Sequence, residues 1–286
     1  MYPAAFDYHA PKNVKEALGL LGKLKDDAKI VAGGHSLIPM MKLRLAQPKH
    51  LIDLQKVPGL SGIKADGKAL AIGAMTTHWE IESSSTVKSK LPVLAEVASV
   101  IGDPAVRNKG TIGGSLAHAD PAADMPPVML VLDATFALQS KGGKRSVPAR
   151  KFFKGPFTTA LKPNELLVEI QLPAPPKGAG TAYASFEQAA SGYALAGAAV
   201  LIAVAKGMIT RADLAFTGLA DAPFLAPAAA KLVGTQGGSD LIAQVTSLAV
   251  AGVEANDDIH ANADYRKHIA AVAARRALTE ALARAK

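Results

Sequence analysis

Two glycine-paired segments constrain this chain more than any other feature. The first is Ala32-Gly33-Gly34-His35-Ser36. The second is Gly110-Thr111-Ile112-Gly113-Gly114-Ser115-Leu116-Ala117-His118-Ala119-Asp120-Pro121-Ala122-Ala123-Asp124. Each follows an apolar stretch and leads into another. Glycine admits positive φ and lets a ligand approach the backbone with no Cβ in the way. Successive N–H groups in such a loop form a concave anion site, and a helix start behind it adds its dipole. Neither segment holds a lysine or arginine. Two such loops suit a diphosphate gripped from both sides by backbone amides, which would hold a large dinucleotide without a Rossmann fingerprint. A lone Gly-Gly is more often a plain turn, so the longer segment carries more of the argument.

Composition narrows the class. At 286 residues, 49% hydrophobic and 20% charged, the chain is an ordinary globular one with room for two or three domains. Its longest apolar stretch, Ala194 to Ala205, has twelve residues interrupted by Gly197. A bilayer span needs about 20, so this reads as a buried strand. The amino terminus lacks a basic region and an apolar core, which predicts no signal peptide and a soluble cytoplasmic protein. There is no cysteine, which excludes disulfides, cysteinyl flavin links and iron–sulfur ligation by this chain. The net charge of +8 invites a nucleic-acid reading. Yet the cations are scattered, aromatics are only 5%, and no basic stretch is interleaved with aromatics as a stacking groove requires. Docking to acidic protein subunits suits the charge better.

Three textures follow one another. Residues 1–57 alternate strand and helix patterns, predicting a small parallel βαβαβ unit. Its strands are Phe6 to His9, Lys29 to Ala32 and Leu51 to Leu54. Its helices are one capped by Asn13 and running to Leu24, and one from Ser36 to Leu45. Residues 58–176 predict a mixed or antiparallel sheet with helices. Hairpins are expected around Asp66-Gly67 and Gly142-Gly143, helices at Trp79 to Ile81 and Leu91 to Ile101, and a strand at Leu166 to Leu172. Asp124 precedes Met125-Pro126-Pro127 as a candidate helix cap. The Pro173 to Gly178 segment marks a boundary. Residues 177–286 then predict three antiparallel strands (Tyr183 to Phe186, Tyr193 to Ala205, Met208 to Thr217) and three helices (Ala226 to Val233, Asp240 to Val253, Ala263 to Ala285). The fold class is therefore α+β, two α/β subdomains followed by a C-terminal domain.

The fifteen residues of the second glycine segment resemble the flavin-binding segment of the medium subunit of molybdenum hydroxylases, the family of carbon monoxide dehydrogenase and xanthine dehydrogenase. Ala32 to Pro39, with Lys42-Leu43-Arg44-Leu45 and Leu51-Ile52-Asp53-Leu54 behind it, resembles that family's first flavin loop. Asp264-Tyr265-Arg266 and Arg275-Arg276-Ala277-Leu278 resemble its C-terminal signature. The likeness runs from about Phe6 to Leu282.

That resemblance implies non-covalent FAD, with Ala32, Gly33, Gly34, His35 and Ser36 on the diphosphate. Thr111, Ile112, Gly113, Gly114 and Ser115 would lie on the ribityl chain and diphosphate. It gives Asp124 hydroxyls of the ribityl or ribose to bond, Ile101 and Leu167 an apolar ring to pack on, and Tyr193 the place of an aromatic beside the isoalloxazine. It also implies partners: a large subunit whose molybdenum cofactor oxidises the substrate, and a small subunit whose [2Fe–2S] clusters pass electrons to this chain. Together they would form a dimer of heterotrimers, at most peripheral to the inner membrane, with quinone, NAD or oxygen as the external acceptor. The chain departs from the pattern before Tyr193. Many members carry Lys and Arg there and an Asp immediately before the aromatic, where this chain has Phe186-Glu187-Gln188-Ala189-Ala190-Ser191-Gly192. The alternatives are a stand-alone FAD oxidoreductase acting on a small alcohol or aldehyde, and a non-redox nucleotide-binding module. A metal on His118, Asp120 and Asp124 lacks any paired-histidine spacing. No nucleophile–base constellation is present, and a cofactor that carries the chemistry needs none.

Overall fold

The computed structural model describes residues 1–67 and 69–286. The chain begins with β1 (Asp7–His9), α1 (Val14–Leu24), β2 (Ala28–Val31), α2 (Leu37–Lys42) and β3 (His50–Asp53). The three strands form a parallel sheet in the order β1-β3-β2. Asn13 starts α1 by accepting the Glu16 amide at 2.9 Å on Oδ1. One face of that helix then buries Ala17, Leu18 and Leu21. The second helix is shorter than its sequence suggests, because Arg44 turns left-handed at φ 62° and ends it.

The middle of the chain builds a five-stranded sheet, antiparallel throughout, in the order β4-β5-β10-β6-β7. Its strands are β4 (Ile63–Asp66), β5 (Ala69–Gly73), β6 (Thr135–Ser140), β7 (Gly143–Pro148) and, after the small pair β8 (Phe153–Gly155) and β9 (Thr158–Thr159), β10 (Leu166–Leu172). Of the hairpin expected around Asp66-Gly67, Lys68 lies outside the described residues. Between β5 and β6 come α3 (His78–Ser83), α4 (Ser85–Lys90), α5 (Pro92–Ser99), α6 (Pro104–Arg107), α7 (Ile112–His118) and α8 (Met125–Val131). Their apolar faces close on the sheet around Phe136, Ile72, Leu94, Ile112 and Leu116. Phe136 meets Phe152 edge-on at 4.6 Å, a favoured aromatic geometry.

The last third holds β11 (Ala179–Glu187), β12 (Ala194–Ala205), β13 (Met208–Thr217) and the two-residue β14 (Phe224–Leu225), paired in sequence order. It ends with α9 (Ser239–Ala251) and α10 (Ala263–Arg284). The helix expected at Ala226 to Val233 is instead a 3-10 turn over Pro227–Leu232. Because side chains alternate across a strand, β12 serves two cores. Ala196, Ala198, Val200 and Ile202 pack toward the C-terminal helices. Ala199 and Leu201 pack on the core of the middle sheet. An ion-pair cluster crosses the same joint: Asp133 binds both Arg150 (2.7 Å) and Arg211 (2.6 Å), and Asp213 binds both as well.

Candidate functional site

The first two sheets, with the turn between β11 and β12, leave between them a cleft of about 880 Å³, within the range of ligand sites in proteins. The glycine segments form its floor, and they touch. A Cβ on Gly33 would lie 2.2 Å from the Lys109 carbonyl oxygen and 2.7 Å from the Gly110 Cα. A Cβ on Gly114 would lie 3.5 Å from the Ala32 Cβ and 2.8 Å from Thr111 Oγ1. Gly33 is therefore needed where two backbones meet, Gly114 leaves room for the Thr111 hydroxyl, and of the five glycines in the two segments only Gly34 (φ 79°) uses a positive φ.

The two segments differ in what they offer a ligand. The amides of Gly33, Gly34, His35 and Ser36 find no acceptor among the described residues. With Gly34 turned left-handed between them, they form the concave run of donors that binds anions. The second segment is not a loop with free amides. It is the capped first turn of α7, where Ile112 N–H donates to Thr76 O (3.0 Å) and Gly113 N–H to Ala74 O (2.8 Å). Gly114 N–H donates to Thr111 Oγ1 (3.1 Å), and Ser115 N–H to Thr111 O (3.0 Å). The expectation of amides gripping from both sides is corrected accordingly. This side of the cleft presents close, nearly bare backbone and the Ser115 side chain. Ile112 is corrected too. Its side chain is fully buried in the core with Leu116, one helical turn on, so neither its amide nor its side chain faces the cleft.

The remaining expected residues all line the cleft: Ala32, Gly33, Gly34, His35, Ser36, Ile101, Thr111, Gly113, Gly114, Ser115, Asp124, Leu167 and Tyr193. Tyr193 arrives on a tight turn between β11 and β12, closed by Gln188 N–H to Tyr193 O at 2.8 Å. It is 42% exposed at the mouth. Partial burial raises its phenol pKa, Asp120 adds to the rise, and the Ser36 hydroxyl bonded to it works against it.

Asp124 does not cap α8. Its backbone is already helical (φ −76°, ψ −32°) and its side chain accepts no bond from the helix start, because an N-cap needs extended backbone to turn its oxygen inward. Instead Asp124 is buried, and its Oδ1 accepts the Tyr183 hydroxyl at 2.6 Å. Burial pushes its pKa up to about 7, Tyr183 holds it down, and the charges of Glu187 and Asp120 push it further up.

Two further polar residues on the cleft wall were missed in the sequence. His78, at the start of α3, is 3% exposed and its Nδ1 has no partner among the described residues. Burial, with Arg107 and His35 nearby, lowers its pKa to about 4, so the ring is neutral at pH 7. The signal for its placement was present in Thr77-x-x-Glu80, a capping box that starts the helix just there. Glu165 also lines the cleft, but its carboxylate is clamped by Arg145 Nε and a second guanidinium nitrogen, both at 2.7 Å.

Comparison with known proteins gives the same picture along the whole chain. The family model described as the FAD binding domain in molybdopterin dehydrogenase matches residues 4–175. The model for the CO dehydrogenase flavoprotein C-terminal domain matches residues 181–281. The carbon monoxide dehydrogenase medium chain of Hydrogenophaga pseudoflava is 42% identical over 99% of both chains. Subunit alpha of the 6-hydroxypseudooxynicotine dehydrogenase complex of Paenarthrobacter nicotinovorans is 38% identical over 100% of this chain and 97% of its own. Among solved structures, the Hydrogenophaga pseudoflava carbon monoxide dehydrogenase lacking the Mo-pyranopterin moiety superposes with a TM-score of 0.97 at 44% identity, covering both chains completely.

Proposed function

This chain belongs to the family of FAD-binding medium subunits of molybdenum hydroxylases, and from that premise we propose how its residues hold the flavin and where it stands in an electron path. The observation that carries the reading is the run of four free amides at Gly33 to Ser36, facing a cleft lined by β2, by β10 and by the turn between β11 and β12. These amides take the diphosphate, and the bare start of α7 at Thr111, Gly113, Gly114 and Ser115 bounds it from the other side. Asp124 accepts a bond from a hydroxyl of the ribityl chain or ribose. Ile101 and Leu167 supply apolar walls for the rings, and Tyr193 covers the mouth, where its flat face excludes water yet swings aside. His35 lines the loop without a covalent link, so acid precipitation releases all the yellow chromophore.

When bound, FAD supplies the redox chemistry that the side chains lack, accepting electrons and releasing them to an external acceptor. The protein's part is to bind, orient and shield it. A chain without cysteine cannot carry iron–sulfur clusters, so the electrons come from [2Fe–2S] clusters of a small partner subunit, fed by a large subunit with the molybdenum cofactor. The reading extends to a dimer of heterotrimers in the cytoplasm and to quinone, NAD or oxygen as acceptor. No helix among the described residues is long and apolar enough to cross a membrane. The chain divides into domains at 1–57, 58–176 and 177–286.

The test is selective removal of flavin from the assembled complex. Substrate should still reduce the clusters, seen as bleaching of their visible absorbance, while turnover with the natural acceptor stops and returns with added FAD. Failure of the flavin-free complex to reduce its clusters would place the flavin upstream and overturn the assignment.

A further inference from the structure

The loop that carries Asp124 belongs to the middle of the chain and is turned by its own bonds (Ala122 N–H to Asp120 Oδ1, Ala123 N–H to Asp120 O), yet the bonds that anchor it from outside come largely from the C-terminal sheet. Thr217, at the end of β13, directs its hydroxyl at the carbonyl oxygens of Pro121 (2.9 Å) and Ala123 (2.7 Å). The next residue, Gly218, donates its amide to Pro121 O at 2.8 Å. Tyr183, on β11, reaches across to Asp124 Oδ1 at 2.6 Å. Room for that phenol is built into the neighbouring strand, since a Cβ on Gly197 would lie 2.5 Å from the Tyr183 hydroxyl oxygen. Behind these contacts, the buried Arg266 of α10 bonds Leu195 O (2.6 Å) and Gly218 O (3.0 Å) and is held by Asp258 (2.5 Å). The final helix thus pins the strand ends, and the strand ends pin the acidic loop.

We propose that Tyr183 is a positioning residue for the cofactor site. Its hydroxyl occupies one oxygen of Asp124 and so turns the other, which accepts no bond from another side chain among the described residues, toward the ligand in the cleft. The inference rests on the reading that Asp124 faces bound FAD, and goes beyond it by giving Tyr183 on β11, which acts through Asp124, a part in orienting the cofactor site. The physical basis is the charge-assisted hydrogen bond. A short bond to a carboxylate is stronger than a neutral one, and a buried carboxylate with one oxygen tied has a single orientation left.

The experiment uses the full chain freed of flavin and titrated with FAD, following quenching of flavin fluorescence across pH 5.5 to 9. Tyr183→Phe removes only the hydroxyl. It should raise the Kd for FAD about tenfold at pH 7.5, equivalent to about 1.4 kcal/mol. It should also move the pH midpoint of binding upward, because the phenol bond is what holds the Asp124 pKa down. The charges that face Asp124, Glu187 from β11 and Asp120 from its own loop, stay in place, as does the half-exposed Tyr193. A merely structural tyrosine would not move that midpoint. Gly197→Ala displaces the phenol oxygen without removing it, should act in the same direction, and keeps the proposal testable if Tyr183→Phe folds poorly. Asp124→Ala separates the two levels. If it weakens FAD while Tyr183→Phe and Gly197→Ala change neither Kd nor midpoint, the positioning role is overturned. If Asp124→Ala itself leaves FAD affinity unchanged, the reading of Asp124 fails, and the positioning role fails with it.

Discussion

Asp124 is a carboxyl group that the fold holds at the edge of ionisation, and its sign in the pH balance is opposite to that of an ordinary surface acid. Its pKa is raised from 3.8 to about 7, so folding favours its protonated form. The stability it contributes is complete below pH 4 and is lost as pH climbs toward 7. In the flavin-free chain, Asp124→Asn should remove that loss. Urea unfolding at pH 5 and pH 8 should show wild type losing on the order of 1–3 kcal/mol more than the variant over this interval. Equal losses would mean that burial does not strain this group. His78 works the other way, since a lowered pKa gives stability that is present above pH 6.5 and lost as pH falls toward 4. Much at this scale was legible in the sequence. The glycines, Asp124 and Tyr193 lie on the cleft where their motifs suggested. Three readings failed for physical reasons: the amides of the second segment are spent within α7 and its neighbours, Ile112 is buried, and Asp124 does not cap α8. Ile112 stands four residues before Leu116, a helical spacing that buries both, but the glycine pair between them obscured it. The partner of Asp124 lies 59 residues away on another sheet, and local sequence carries no sign of such a bond.

Among the elements, the glycine segments act as a matched pair, and two substitutions of the same chemistry should have opposite outcomes. Gly33→Ala drives a methyl into the Lys109 carbonyl and the Gly110 Cα, backbone atoms that cannot rotate away. It should cost about 1–3 kcal/mol of stability and weaken FAD binding at least tenfold. Gly19→Ala, inside α1 with open space around its Cβ position, should instead stabilise by about 0.5–1 kcal/mol. Thermal melts and flavin titrations of both variants check the pair. A Gly33→Ala protein that binds FAD normally would show that the segments need not touch. Several long elements were readable because apolar periodicity and turn residues agree there; β10 and β13 have the limits their sequence suggests, whereas β11 runs from Ala179 to Glu187 where only Tyr183 to Phe186 was expected. The short pieces were not. β8, β9, β14 and α6 have two to four residues each, too few for either periodicity to register.

At the scale of the whole molecule, the cofactor cleft lies between two sheets and a turn of the third, and the contacts that hold the third in place are long-range. Asp133 and Asp213 share Arg150 and Arg211 across the joint, and Arg284 at the end of α10 reaches Glu96 on α5 at 2.7 Å. Cation and acid counts show that such pairs are available and not which will form, so the joint was invisible beforehand. That β12 is a buried strand was visible from its continuous apolar run, while the two cores it serves emerge only in the fold. The free amides at Gly33 to Ser36 have a consequence for handling the protein. A diphosphate held by lysines and arginines releases bound counter-ions, and its affinity falls steeply with salt. One held by neutral amides has little such dependence, whereas contacts between oppositely charged subunits are screened within about 10 Å at 0.1 M salt. Raising sodium chloride from 50 to 500 mM should therefore shed a chain of net charge +8 from acidic partners while its flavin stays bound, leaving a yellow subunit on gel filtration.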